Sequence, residues 1–112
     1  MKEDLIHIFQ YYGVRNQLRK FNEEVFELIE AIIDYECVDV YKGSSAAEKY
    51  HKEYIVEEIA DVQVLLDQLQ HYFEIEDKDI VDMIQFKVDR QLDRIKREKV
   101  TLQEKSDLDV LQ

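Results

Sequence analysis

The sequence predicts an all-α protein, a bundle of four helices. Three observations carry that prediction. The 112 residues contain no proline and only two glycines, so little along the chain would interrupt a helix. Apolar residues recur at helical spacing almost throughout. The clearest turn-forming stretch, Lys42-Gly43-Ser44-Ser45, falls between two long periodic segments.

A first, short helix is expected from Lys2 to about Tyr11, with Leu5, Ile6, Ile8 and Phe9 on its apolar side, and Tyr12-Gly13 punctuates it. The second starts near Val14 or Arg15 and runs to about Tyr41, with Phe21, Val25, Leu28 and Ile32 in one stripe. Ser44 or Ser45 then serves as N-cap of a third helix, Ala46 to Phe73. Its stripe is Ile55, Ile59, Val62, Leu66 and Leu69. Glu74-Ile75-Glu76-Asp77 breaks that helix, and Asp77 caps a fourth, striped by Ile80, Ile84, Val88, Leu92 and Ile95. Beyond Lys99 the pattern weakens, and Thr101 to Gln112 reads as a short helix or a mobile tail. There are no repeats, and the length fits one domain over 1–112.

Composition narrows the partners. The formal charge of -11 disfavours attraction to nucleic-acid backbones or anionic lipid, so neither nucleic acid nor a membrane is expected as partner. No run of about 18 apolar residues occurs, and the acidic start Met1-Lys2-Glu3-Asp4 does not read as a signal peptide. A single cysteine, Cys37, rules out an intrachain disulfide framework and fits a reducing cytoplasm. The stripes are wide for so thin a core, which favours pairing with further copies as a homodimer or homotetramer. Seven tyrosines and five phenylalanines against no tryptophan suggest aromatic packing between helices, although Tyr11, Tyr12, Tyr50 or Tyr54 has the shape to stack on a base.

Two carboxylate clusters interrupt this apolar background. Glu23, Glu24 and Glu27 lie on the second helix, and Glu57, Glu58 and Asp61 on the third. Glu24 falls within the apolar stripe one turn before Leu28, while Glu58 and Asp61 border the other stripe. A charge drawn toward a core must be paired or bound to metal. Carboxylates converging from two helices with few cations nearby call for a divalent cation. Acidic runs on helices are more often solvated faces, and Glu3, Glu36, Glu53, Glu76 and Asp82 read that way. Glu57 is open to the same reading, and Glu30 and Asp34 extend the acidic face without coordinating.

Rival chemistries are weaker. Glu48-x-x-His51 has di-iron spacing, but no second Glu-x-x-His accompanies it, and Asp4-x-x-His7 is a poor substitute. The three histidines read as surface or packing residues. Cys37 has no histidine near it in sequence and reads as packing. No glycine-rich phosphate loop is present.

The string Gln17-Leu-Arg-Lys20-Phe-Asn-Glu23-Glu24-Val-Phe-Glu27-Leu, followed after a loop by Glu57-Glu58-Ile-Ala-Asp61-Val, resembles the MazG-like nucleotide pyrophosphohydrolases. These belong to the all-α NTP pyrophosphatase superfamily, which includes the dimeric dUTPases. The likeness rests on E-E-x-x-E followed by E-x-x-D. It extends to Gln17 and Lys20 upstream and to Lys87 and Arg94 in a Lys-x6-Arg pattern, covering about residues 10 to 98. It implies a four-helix MazG fold and hydrolysis of a nucleoside triphosphate to the monophosphate and pyrophosphate. Glu24, Glu27, Glu58 and Asp61 would hold Mg²⁺, or Mn²⁺ in its place, with Glu23 a further ligand or the proton acceptor. All five are then catalytic.

Gln17, Lys20, Lys87 and Arg94 are the expected substrate contacts, and Lys42 a weaker one. Lys87 and Arg94 would reach the phosphates from their own chain or from a partner subunit. Alternatively they belong to a solvated Lys87-Arg90-Arg94-Arg97 surface, and a surface reading is open for Gln17 and Lys20 too. The rival function is a non-catalytic helical protein that binds metal or nucleotide and acts through interaction or regulation. The intact carboxylate pattern argues mildly against it. The preferred base depends on pocket walls that the sequence does not place. The dimeric dUTPases are longer than this chain, so a small MazG-like enzyme fits better.

Overall fold

The computed structural model of the chain describes residues 1–37 and 45–111, with the side chains of residues 1–36 and 48–110. Its elements are α1 (Lys2–Tyr12), α2 (Val14–Cys37), α3 (Ser45–Tyr72) and α4 (Asp77–Leu111). Among the described residues every regular element is helical, as expected from the scarcity of glycine and proline. The ends of α1 and α3 fall within one residue of their expected places. The continuation of the second helix to Tyr41, Lys42, Gly43 and the Ser44 cap lie outside the described residues, and Ser45 is already the first residue of α3.

One residue separates α1 from α2. Gly13 takes φ 84° and ψ 158°, a region that side chains with a Cβ rarely enter. Its N–H donates to the Phe9 carbonyl at 2.9 Å, and its own carbonyl accepts from the Gln17 N–H at 3.0 Å. The Asn16 side-chain amide donates to the Tyr12 carbonyl at 2.8 Å. Two of the last carbonyls of α1, those of Phe9 and Tyr12, are thereby satisfied at the junction.

The chain divides into two compact units, Met1–Glu74 and Ile75–Gln112. In the first, α2 and α3 run antiparallel. Gln17 meets Gln68 near one end, Glu24 and Glu27 meet Glu58 in the middle, and Tyr35 meets His51 toward the other end. Helix α1 packs against the C-terminal part of α3, with the Phe9 and Tyr72 rings 4.9 Å apart.

The seam between α2 and α3 differs from the stripes expected. On α2 it follows Gln17, Phe21, Glu24, Leu28 and Ala31, and on α3 Ile55, Glu58, Val62, Leu65 and Leu69, all buried or half-buried. Both series alternate steps of three and four residues, the spacing of helices that stay in contact over several turns. Ile32, Ile59 and Leu66, expected inside, are exposed, whereas Ala31 and Leu65 take the buried places. Glu58 sits in the seam rather than at its margin. Apolar residues are abundant on neighbouring lines of each helix, so counting them favours a face turned slightly away from the one that packs.

Helix α4 is the second unit's one helix and has 35 residues, or about 50 Å of length. It continues unbroken through Thr101, where a short helix or mobile tail was expected. The Thr101 hydroxyl donates to the Arg97 carbonyl at 3.0 Å, and the Gln103 amide donates to Asp107 at 3.0 Å. All its described side chains are exposed, including Ile80, Ile84, Val88, Leu92 and Ile95. Among the described residues no helix is long and apolar enough to cross a membrane.

Candidate functional site

The antiparallel seam brings two glutamates from the acidic clusters into the interior. Glu24 is 5% exposed and Glu58 6%. Phe21 and Leu28 flank Glu24 along α2, and Ile55 and Val62 flank Glu58 along α3, so apolar neighbours shield both carboxylates from water. Glu27, one turn beyond Glu24, stays exposed yet turns an oxygen into the same space. Ligand oxygens of Glu24, Glu27 and Glu58 all lie within 4.8 Å of one another. Oε2 of Glu24 and Oε2 of Glu58 are buried without a hydrogen-bond partner.

The local charge balance is lopsided. Lys20 Nζ sits 3.0 Å from Glu24 Oε1. Burial pushes the Glu24 carboxyl up, but Lys20, by hydrogen bond and charge, outweighs it together with the neighbouring Glu27 and Asp61 carboxyls. Glu24 is therefore held below the usual carboxylate range, and Lys20 is raised in turn by its bond to Glu24. The other three carboxyls move the opposite way. Glu27 is raised chiefly by the Glu24 charge. Glu58 is raised by burial and then by Glu27, Glu24 and Asp61. Asp61 is raised by burial and then by Glu24. The Tyr54 hydroxyl is raised first by Glu58, which places it at the edge of the same field. Lys20 matches one negative charge, and the like charges crowded beside it draw the other three carboxyls toward their neutral forms.

A hard divalent cation fits this donor set. Mg²⁺ and Mn²⁺ favour carboxylate oxygens, and two buried oxygens here have no protein partner. Of the four expected ligands, Glu24, Glu27 and Glu58 converge. Asp61 stands beside Glu24 but outside the group of three. Glu23 and Glu57 are exposed, and neither belongs to the converging group. His51 stacks near Tyr35 and Tyr50, in keeping with a packing role.

A pocket of about 450 Å³ adjoins the carboxylates, sharing Glu24 and Asp61 with them. Its walls come from α1, α2 and α3, with Tyr12, Asn16 and Lys20 among them. Gln17 and Gln68 also line it, and Gln17 Nε2 donates to Gln68 Oε1 at 2.8 Å. Gln17, expected as a substrate residue, is thus buried at a pocket wall rather than on the surface. Gln68 was not anticipated. Its signal in the sequence is a spacing: it follows Asp61 by seven residues, as Gln17 precedes Glu24 by seven. Two antiparallel helices bring such positions together, but only once their register is known.

Lys87 and Arg94 belong to the second unit, where they lie exposed and two turns apart on α4. Compared with family models, curated proteins and solved structures, the chain matches none.

Proposed function

We propose that the chain is a MazG-like nucleoside triphosphate pyrophosphohydrolase that works with Mg²⁺ or Mn²⁺. The observation that carries this reading is the buried pair of carboxylate oxygens, Glu24 Oε2 and Glu58 Oε2, which have no protein partner within a converging group of like charges. Glu24, Glu27, Glu58 and Asp61 would hold the cation. When bound, it neutralises the phosphate oxygens of the substrate and makes water a stronger nucleophile. The chain's own groups do the rest. Lys20, half in solvent at the pocket rim, offers an ammonium to the triphosphate. Glu23, exposed next to Glu24, accepts a proton from the attacking water. The water oxygen bonds to the α-phosphorus, and the bond from that phosphorus to the bridging oxygen breaks. Pyrophosphate leaves with the electron pair, and the nucleoside monophosphate remains.

The assembly proposed is a homodimer or homotetramer. Phe9, Ala31 and Leu65 are the buried apolar side chains among the described residues, while Phe26, Ile29, Ile59 and the α4 stripe remain exposed. That leaves apolar surface for further copies to cover. The single cysteine supports a cytoplasmic setting.

The test is pyrophosphate release from a panel of ribo- and deoxyribonucleoside triphosphates, with Mg²⁺ and with EDTA. Metal-dependent release that Glu24→Gln and Asp61→Asn remove, with helical content kept, supports the assignment. Full turnover in those variants, or none from the parent chain on any nucleotide, refutes it.

A further inference from the structure

The pocket beside the carboxylates has two chemically opposite ends, and their spacing defines a ligand. At one end lies a neutral layer, Gln17 paired with Gln68 across the seam. At the other lies an anionic layer with Glu24 and Asp61 in the wall. On α2 the step from Gln17 to Glu24 is seven residues, and on α3 the step from Gln68 back to Asp61 is also seven. Seven residues amount to two turns, about 10 Å of rise. We infer that Gln17 and Gln68 form a nucleobase-reading pair, which binds the hydrogen-bonding edge of a base while its 5′ phosphates extend toward the carboxylate end. The inference rests on the nucleotide reading above and assigns Gln68 the role of a specificity-determining residue.

Several features support it. Gln68 is 1% exposed and Gln17 8%, so both carboxamides are withdrawn from water where an apolar pair would pack at lower cost. A carboxamide offers two donors and an acceptor oxygen, and the bond between the two uses one donor and one acceptor site. The pair therefore keeps both kinds of group for a base edge, which likewise sets donors beside acceptors. Ile8, Val64 and Leu65 add apolar wall for the flat faces of a ring. Tyr12, at the same pocket and more than half exposed, offers an aromatic face for stacking. The volume falls within the range of small-molecule sites. With the proposed divalent cation held at the carboxylate end, a ligand with a neutral hydrogen-bonding ring at one end and phosphates at the other, a nucleotide, fits both ends of the pocket.

A purely structural pair would fix helix register and nothing more, and the two roles separate by experiment. The full chain, with its glutamine carboxamides isotope-labelled, is titrated without metal by adenosine, guanosine, cytidine and uridine, which carry no phosphate. One or more nucleosides should shift the Gln17 and Gln68 amide signals. In Gln68→Leu, with its helical content and melting cooperativity checked, that affinity should fall about tenfold or more. The variant should also lose the parent's ranking of bases in pyrophosphate release. No shift by any nucleoside up to about 10 mM, or equal affinity in a folded Gln68→Leu, overturns the inference. Nucleoside binding without triphosphate cleavage upholds the pocket while removing the hydrolase reading. Cleavage without nucleoside binding does the reverse.

Discussion

Lys20 and Glu24 are joined at 3.0 Å one helical turn apart, and the pair straddles the protein surface, with Lys20 55% exposed and Glu24 6%. The ammonium engages Oε1, while Oε2 is buried with no hydrogen-bond partner. Lys20 thus favours the ionised form of Glu24 against the opposing effect of burial. Removing it by Lys20→Met should raise the Glu24 carboxyl toward or beyond the usual range, read from its side-chain carboxyl signal across a pH titration. The loss of stability at neutral pH should stay near or below about 1 kcal/mol, because the lysine end is solvated. An unchanged Glu24 titration would show that the pair does not hold the charge.

The three raised carboxyls give stability a definite pH dependence. Glu27, Glu58 and Asp61 bind protons more readily folded than unfolded. Their contribution is fully present below the unfolded carboxylate pKa and is lost as pH rises through the folded values. Glu24 works the other way, contributing above the unfolded value and losing it as pH falls. Glu24 gives no slope above the unfolded carboxylate range, where it is ionised in both states, so the three raised groups leave the metal-free protein more stable near pH 5 than near pH 7.5. Millimolar Mg²⁺ should cancel the decline by taking the place of the protons. Melting temperatures at the two pH values, with EDTA and with Mg²⁺, check this. A metal-free melting point that climbs toward pH 7.5 would contradict it.

Glu58→Gln separates charge from shape. The amide keeps the volume of the side chain and removes one like charge from the group. The metal-free variant should melt above the parent, because repulsion from Glu24, Glu27 and Asp61 disappears. It should also lose most of the Mg²⁺-induced rise, which for the parent amounts to about 2.7 kcal/mol at a hundredfold excess over Kd. Calorimetry with and without Mg²⁺ measures both. A variant that melts lower without metal and still responds fully to Mg²⁺ would place Glu58 outside the cation site.

Much of this was legible in advance, for identifiable reasons. The absence of proline and the long 3.6-residue periodicity announced four helices, and Tyr12-Gly13 marked the first break correctly. The paired acidic clusters announced a convergence, and Glu24, Glu27 and Glu58 do converge. The face that packs was less legible. Ile59 and Leu66 look more like core residues than Glu58 and Gln68, and hydrophobicity alone chooses wrongly there. Gln68 became visible only when α3 was set antiparallel to α2, because its partner Gln17 lies 51 residues away. The resemblance, through its E-x-x-D motif, makes Asp61 a ligand equal to the others. In the folded unit it stands beside Glu24 instead of joining the tight group, since α3 turns Glu58, not Asp61, straight at α2.

The hinge between α1 and α2 depends on one glycine. At φ 84° and ψ 158° Gly13 occupies a region open to glycine, and a Cβ added there would meet nothing within 4 Å. The penalty for Gly13→Ala is therefore torsional rather than steric, about 1–3 kcal/mol. Because α1 supplies Tyr12 and Ile8 to the pocket wall, the variant should also bind nucleosides more weakly. Denaturant unfolding gives the first quantity and the amide titration the second. A neutral or stabilising Gly13→Ala would mean that the α1–α2 turn is not held in this conformation.

Helix α4 makes the last prediction. Ile80, Ile84, Val88 and Leu92 recur every fourth residue, and each is exposed. Such a stripe on a helix of 35 residues is costly to leave in water, at about 25 cal/mol for each Å² of apolar surface. If copies of the chain cover it, the parent should sediment as a dimer or tetramer, and a charge placed at the centre of the stripe, Val88→Lys, should shift it toward monomer. The change on the opposite side of the helix, Arg90→Glu, serves as control and should leave the assembly intact. Lys87→Ala and Arg94→Ala in the same series decide a separate point. A rise in KM for triphosphates without dissociation would mean that these cations meet substrate, whereas unchanged kinetics would assign them to the solvated face. A monomeric parent chain at micromolar concentration would overturn the assembly.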